Sequence, residues 1–225
     1  MGVLSHHRNS VTGHLSRHRE ILRDTCPVTY DGAVARWQPE TTQRLVVAAV
    51  DLFTEQGYDA TTVAQIAERA GVTKSTFFRH FADKRELLVA GQETLCRLLT
   101  EGIAEAPAGA GPLDAVAAGL ERASSALGPA NRALGPRLKA AVAASTELQE
   151  RDALKSVGLA AAMTAALVAR GVPELVAQLA AELGVLAFKR GYAQWSEIDR
   201  DETTGLAEHA LAALNDLRQA TTALT

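Results

Sequence analysis

Apolar positions recur at helical spacing from Pro39 onward. Leu45, Ala48, Ala49, Leu52 and Phe53 share one helical face. Gly57 suits the left-handed residue that ends such a helix. Thr62 with Gln65 three residues on forms a capping box, and Val63, Ile66, Ala67 and Ala70 supply the apolar face behind it. Gly71 closes this second helix, and Thr73 opens a third that runs through Phe81. Asp83 with Glu86 is a fourth start signal, leading into Leu87, Leu88, Leu95, Leu98 and Leu99. The Gly-, Ala- and Pro-rich stretch from Glu101 to Pro112 reads as a loop. Further helices are predicted over 113–127, 131–143, 146–170, 173–195 and 202–220, with Gly128-Pro129 and Gly135-Pro136 as breaks. Thr146 with Gln149 reads as another capping box, and Glu147 is placed to pair with Arg151 one turn on. Gly171 ends one helix, and Pro173 suits the first turn of the next.

The pattern predicts an all-α protein of about nine helices: an N-terminal three-helix unit and a C-terminal helical body. Three segments follow: an extension over 1–37, a helix-turn-helix domain over 38–84 and a helical body over 85–225. The second and third helices are joined by a short glycine-containing turn, the spacing of a helix-turn-helix. In that unit the later helix enters the major groove of DNA. The groove helix here, Thr73 to His80, carries two cations and no acid, and presents Lys74, Ser75, Arg79 and His80 outward.

Composition narrows the picture. The chain has 225 residues, 47% of them hydrophobic, with 43 alanines and none before Ala33. The longest uncharged run, Ser156 to Ala169, has 14 residues, short for a bilayer span, so no membrane association is expected. Cys26 and Cys96 make neither a disulfide framework nor a zinc site, and no metal or cofactor is expected. No signal-peptide core stands near the start, so the cytoplasm is the expected compartment. The net charge of −3 divides as +2 over residues 1–37, −1 over 38–90 and −4 over 91–225, so any DNA contact is a local patch. Residues 1–37 hold four of the six histidines and no sustained apolar period. Four readings of them stand: an unstructured extension, a start upstream of the true one, a basic arm reaching DNA, and a histidine metal site without matching ligand spacing. Enzyme signatures are missing: there is no G-x-S-x-G, phosphate-binding glycine loop or metal-spaced His/Cys set, and Cys96 sits among leucines.

The stretch G-Y-D-A-T-T-V-A-Q-I-A-E-R-A-G-V-T-K-S-T-F-F-R-H-F-A-D-K-R-E-L-L, Gly57 to Leu88, resembles the signature of the tetracycline-repressor (TetR) family of one-component regulators. The resemblance implies double-stranded operator DNA as a partner. It also implies roles: Thr62 capping the second helix and reaching a phosphate, Thr73 capping the groove helix beside another phosphate, and Lys74 and Ser75 at base edges. Thr76 would pack or touch backbone, Arg79 and His80 would contact backbone or bases, and Lys84 would meet a phosphate. Phe78 stands where the family usually has tyrosine, so the hydroxyl that would donate to a phosphate is missing. The resemblance further implies that 85–225 is a ligand-binding and dimerisation domain, with a homodimer built by the last two helices, here bearing Leu175, Leu179, Leu183 and Leu186, then Leu206, Ala210, Leu211, Leu214 and Leu217.

A small-molecule effector would lie in the body. Candidate lining residues are Leu127, Leu138, Val142, Met163, Leu167, Phe188, Tyr192 and Trp195, with Arg137, Lys139 or Arg151 as a cationic rim. The stretches Glu147–Lys155 and Ala181–Lys189 are similar to the branch of the family that takes acyl-CoA-type ligands. The expected function is a repressor released from a palindromic operator by an apolar or acyl-type effector. The alternative is a helical adaptor whose DNA-reading face has degenerated, for which Phe78 is the hint.

Overall fold

A computed structural model describes residues 39–197 and 204–223; the extension and Cys26 lie outside the described residues. Nine α-helices and one 3-10 helical turn make up the described regular structure. The helices are α1 (Pro39–Gln56), α2 (Val63–Arg69), α3 (Lys74–His80), α4 (Gln92–Glu105), α5 (Pro112–Ser124), α6 (Pro129–Ala143), α7 (Thr146–Ala169), α8 (Glu174–Glu197) and α9 (Leu206–Thr222). The 3-10 turn, Lys84–Val89, lies between α3 and α4.

Most boundaries follow local signals. Gly57 and Gly71 adopt φ of +85° and +68°, where a side chain would strain the backbone. The capping box at α2 is complete: Gln65 N–H donates to Thr62 Oγ1 at 3.3 Å, and Thr62 N–H donates to Gln65 Oε1 at 2.9 Å.

Four local expectations are corrected. The helix starting at Asp83 is split: Asp83 caps the 3-10 turn, accepting from the Arg85 and Glu86 amides, and Gly91 at φ +78° separates it from α4. Gly135-Pro136 does not break the chain but lies inside α6. An interior proline costs about 3 kcal/mol; here Pro136 is exposed while Leu134, Gly135 and Ala141 on the same helix are buried in tertiary packing. The cap of α7 is Ser145, which accepts from Leu148 N–H, and not Thr146; the Gln149 amide donates back to the Ala143 carbonyl. Glu147 and Arg151 pair with Arg85 and Glu86 across the domain junction, each at 3.5 Å, instead of with one another.

Two apolar cores form. The body core draws on α4, α5, α7, α8 and α9, including Leu99, Ile103, Val116, Leu120, Met163, Leu167 and Leu214. The N-terminal core collects Leu45, Leu52, Phe53, Tyr58, Ile66, Phe77 and Phe81, together with Leu87 and Leu88 of the 3-10 turn. It also takes in Ala141 of α6 and the fully buried Leu148 of α7. The first turn of α7 is thereby planted in the N-terminal unit. Helix α7 is long and apolar enough to cross a membrane by length and composition; it contacts α4, α8 and the 3-10 turn, and its Met163 and Leu167 are buried.

Candidate nucleic-acid interface

Helix α3 is seven residues long, too short to persist in isolation. Two things hold it. Thr73 Oγ1 accepts from Thr76 N–H at 3.1 Å, which satisfies one of the exposed donors of its first turn. Phe77 is wholly buried, its ring edge-to-face with Phe78 and tilted against Phe81, at 5.5 and 5.7 Å between centroids. The opposite face carries Lys74, Ser75, Phe78 and Arg79, all exposed, with Thr73 at its start; no acid stands on the helix. Phe78 is 54% exposed, a large apolar ring offered to solvent beside two cations.

Thr62 is exposed at the start of α2, as Thr73 is at the start of α3. Thr76 is half-buried, and its hydroxyl lies 2.9 Å from that of Thr73. His80 is half-buried, its Nδ1 3.3 Å from Thr42 Oγ1, which ties the end of α3 to the first turn of α1. Thr42 carried no sequence signal, because the contact spans 38 residues.

Lys84 is placed differently from the sequence expectation. Its ammonium donates to the Tyr58 and Thr61 carbonyls at 2.7 and 3.0 Å and lies 3.9 Å above the Tyr58 ring. The charge is spent inside the domain, clamping the 3-10 turn to the loop that precedes α2. Removing it strands two carbonyls, and hydrogen bonds to charged groups are worth about 1.5–3 kcal/mol. Lys84→Ala is therefore expected to lower the stability of the protein by about 2 kcal/mol, read by urea denaturation. The salt dependence of DNA binding should stay as in the wild type; a slope reduced by about one would return Lys84 to a phosphate. Tyr58 beneath it is buried, and burial together with the nearby Glu147 carboxylate raises its phenol well above the ordinary tyrosine range.

The effector candidates do not gather around one space. Leu138 and Val142 pack on the N-terminal core. Met163 and Leu167 are buried in the body core, with Leu127 and Phe188 packed against it. Tyr192 lies between Phe188 and Trp195, its hydroxyl donating to the Asn131 carbonyl at 2.7 Å, and burial pushes its pKa up to about 12. Arg137 pairs with Asp51, Lys139 with Glu197 at 2.6 Å, and Arg151 with Glu86, so the proposed cationic rim is already engaged. An open apolar cleft of about 430 Å³ lies elsewhere, where α5 starts against α8 and α9, lined by Leu113, Val176, Leu179, Leu183 and Arg218 among others. Leu175, Leu179 and Leu186 of α8 are exposed, whereas Leu206, Ala210 and Leu214 of α9 are buried within the chain.

A capped, acid-free helix displayed on a three-helix unit and backed by a helical body is the architecture of a helix-turn-helix protein. Residues 45–90 match the family described as "Bacterial regulatory proteins, tetR family". The match covers the helix-turn-helix part of the chain, and the described residues as a whole share the fold of a solved TetR-family regulator. The chain is 40% identical over 77 residues to the HTH-type transcriptional regulator TcmR of Streptomyces glaucescens, covering 34% of each. It is 36% identical over 63 residues to the HTH-type transcriptional activator FasR of Mycolicibacterium smegmatis, covering 28% of this chain and 29% of that one. The matched region thus spans about a third of the length of these relatives. A TetR-family regulator structure from Syntrophomonas wolfei superposes with a TM-score of 0.53 at 18% identity, covering 83% of this chain and 97% of that one.

Proposed function

We propose that this protein is a DNA-binding transcriptional regulator, with residues 38–84 reading DNA and residues 85–225 binding an effector and a second copy of the chain. The observation that carries the reading is α3, whose exposed Lys74, Ser75, Phe78 and Arg79 stand opposite the buried Phe77 with no acid among them. Lys74 and Ser75, in its first turn, are assigned to base edges. Thr62, Thr73, Thr76, Phe78, Arg79 and His80 are assigned to backbone, sugar or thymine-methyl contacts.

One such helix reads few bases, and two must lie about 34–36 Å apart to meet successive major grooves. The exposed leucines of α8 and the adjoining cleft support a dimer face there. The apolar face of α9 serves the chain's own core, so α8 supplies the larger share. In this reading the protein is a repressor. An apolar or acyl-type effector taken up by the body stabilises a different spacing and lowers DNA affinity. The two stretches similar to the acyl-CoA branch lie side by side, with Lys189 donating to Asp152 at 2.7 Å.

Selection of the full-length protein on a random duplex library at near-physiological salt tests this, with an enriched palindrome as the expected result. Lys74→Ala should then relax the preference at one position of each half-site, at a cost of about 1–3 kcal/mol. A uniform loss on all sequences would assign Lys74 to a phosphate instead. Failure of folded wild-type protein to enrich any sequence would favour the adaptor reading.

A further inference from the structure

Three residues one turn apart on α7 face three positions of the 3-10 turn. Glu147 lies 3.5 Å from Arg85, Arg151 lies 3.5 Å from Glu86, and the Lys155 ammonium donates to the Leu88 carbonyl at 3.4 Å. On its other side the same turn is clamped to the loop before α2 by Lys84. A continuous set of contacts therefore runs from α7 through the turn to the helix-turn-helix. Leu148, buried in the N-terminal core, supplies adhesion, but an apolar contact is non-directional and does not set register. Partly exposed ion pairs add little stability, yet they discriminate between registers. The order along α7 is negative, positive, positive; along the turn it is positive, negative, carbonyl. A slip of α7 by one turn in one direction sets Glu147 against Glu86 and gains no opposite charge. In the other it sets Arg151 against Arg85, which already pairs with Asp83, and Lys155 against Glu86, so the first slip is the one the charges oppose most.

Resting on the reading above, we propose that Glu147, Arg151 and Lys155 are positioning residues that lock the DNA-binding unit at one angle to the body and so restrict the dimer to a single half-site spacing. Lys155 is the costly member. It is partly buried with one long hydrogen bond, and loss of solvent lowers its pKa from the ordinary lysine value, countered in part by Asp152. A cation held at such a cost suits a register device better than a stability device.

The test uses the full-length protein in the same library selection. The wild type should enrich palindromes of one centre-to-centre spacing. Arg151→Glu, which sets two carboxylates face to face, should broaden the spacing to sites one base pair longer and shorter. It should weaken binding to the wild-type site by about threefold to tenfold. The exchange E86R/R151E should restore the single spacing, and Lys155→Met should broaden it without lowering the melting temperature. Retention of the single spacing by Arg151→Glu would overturn the proposal. If the wild type selects no sequence, the regulator reading fails first, and hydrogen exchange of free protein decides the clasp. Faster exchange across Lys84–Val89 in Arg151→Glu, reversed in the exchange variant, supports it; unchanged exchange overturns it.

Discussion

Phe77→Ala should unfold the helix-turn-helix and abolish DNA binding, whereas Phe78→Ala one position along should leave the fold intact. Phe77 is 0% exposed and forms the underside of α3, while Phe78 is 54% exposed. Truncating a buried phenylalanine costs about 3–5 kcal/mol in lost transfer energy and residual cavity. The whole stability of a domain is only about 5–15 kcal/mol. A seven-residue helix has no reserve of its own: it is held by the Thr73 cap and by this ring. Phe81, packed at 5.7 Å, would lose its partner too. Urea denaturation followed by far-ultraviolet dichroism should show Phe77→Ala losing about 3–5 kcal/mol, with cleavage by protease moving into residues 57–90. Phe78→Ala should stay within about 0.5 kcal/mol of the wild type, because surface changes away from special features are small. Its loss should appear in DNA affinity alone. A Phe78→Ala variant that unfolds, or a Phe77→Ala variant that binds operator normally, would invert the assignment of the two faces.

Gly102→Val should be severely damaging to the body. Glycine inside a helix is ordinarily a weakness, and replacing it usually gains up to about 1 kcal/mol. The sign reverses here. A Cβ on Gly102 would lie 2.6 Å from the Ala118 carbonyl oxygen and 2.7 Å from Gly119 Cα. One on Gly119 would lie 2.8 Å from the Leu99 carbonyl oxygen. The obstacles are backbone atoms, which cannot rotate aside as a side chain can. Helices α4 and α5 would have to separate, opening the core around Leu99, Ile103, Val116 and Leu120. Overpacking costs about 1–3 kcal/mol where side chains can adjust, so about 3 kcal/mol or more is expected at this crossing. For a chain of this size that corresponds to a fall in melting temperature of about 6–12 °C. Gly109→Ala, where nothing lies within 4 Å of the added carbon, serves as the control and should leave the melting temperature nearly unchanged. The DNA-binding unit has its own core, so the loss should register as melting of the body.

Much of the architecture was legible before any coordinates. The ends of α2 and α3 follow from Thr62, Gln65, Gly71 and Thr73, whose signals act within four residues. Helical spacing identified Leu45, Leu52 and Ile66 as core, and Lys74, Ser75 and Arg79 lie outside as read, whereas His80, given the same outward face, is half-buried against Thr42. These features depend on backbone geometry and on which face of a short helix is apolar, both of which are local.

What only the tertiary structure decided concerns partners distant in sequence. Lys84 reads as a DNA contact until the fold sets the Tyr58 and Thr61 carbonyls within its reach. Glu147 and Arg151 read as a helical pair until the 3-10 turn offers each a counter-charge across the junction. Pro136 reads as a break until the packing of Leu134 and Ala141 carries α6 past it. Leu148 reads as one more apolar residue of the body, yet it lies in the core of the DNA-binding unit. A cap or a periodic face is specified by neighbours a turn away. The partner of a flexible charged side chain is specified by whichever groups the global packing brings within a few ångströms, and one chain segment carries no record of that.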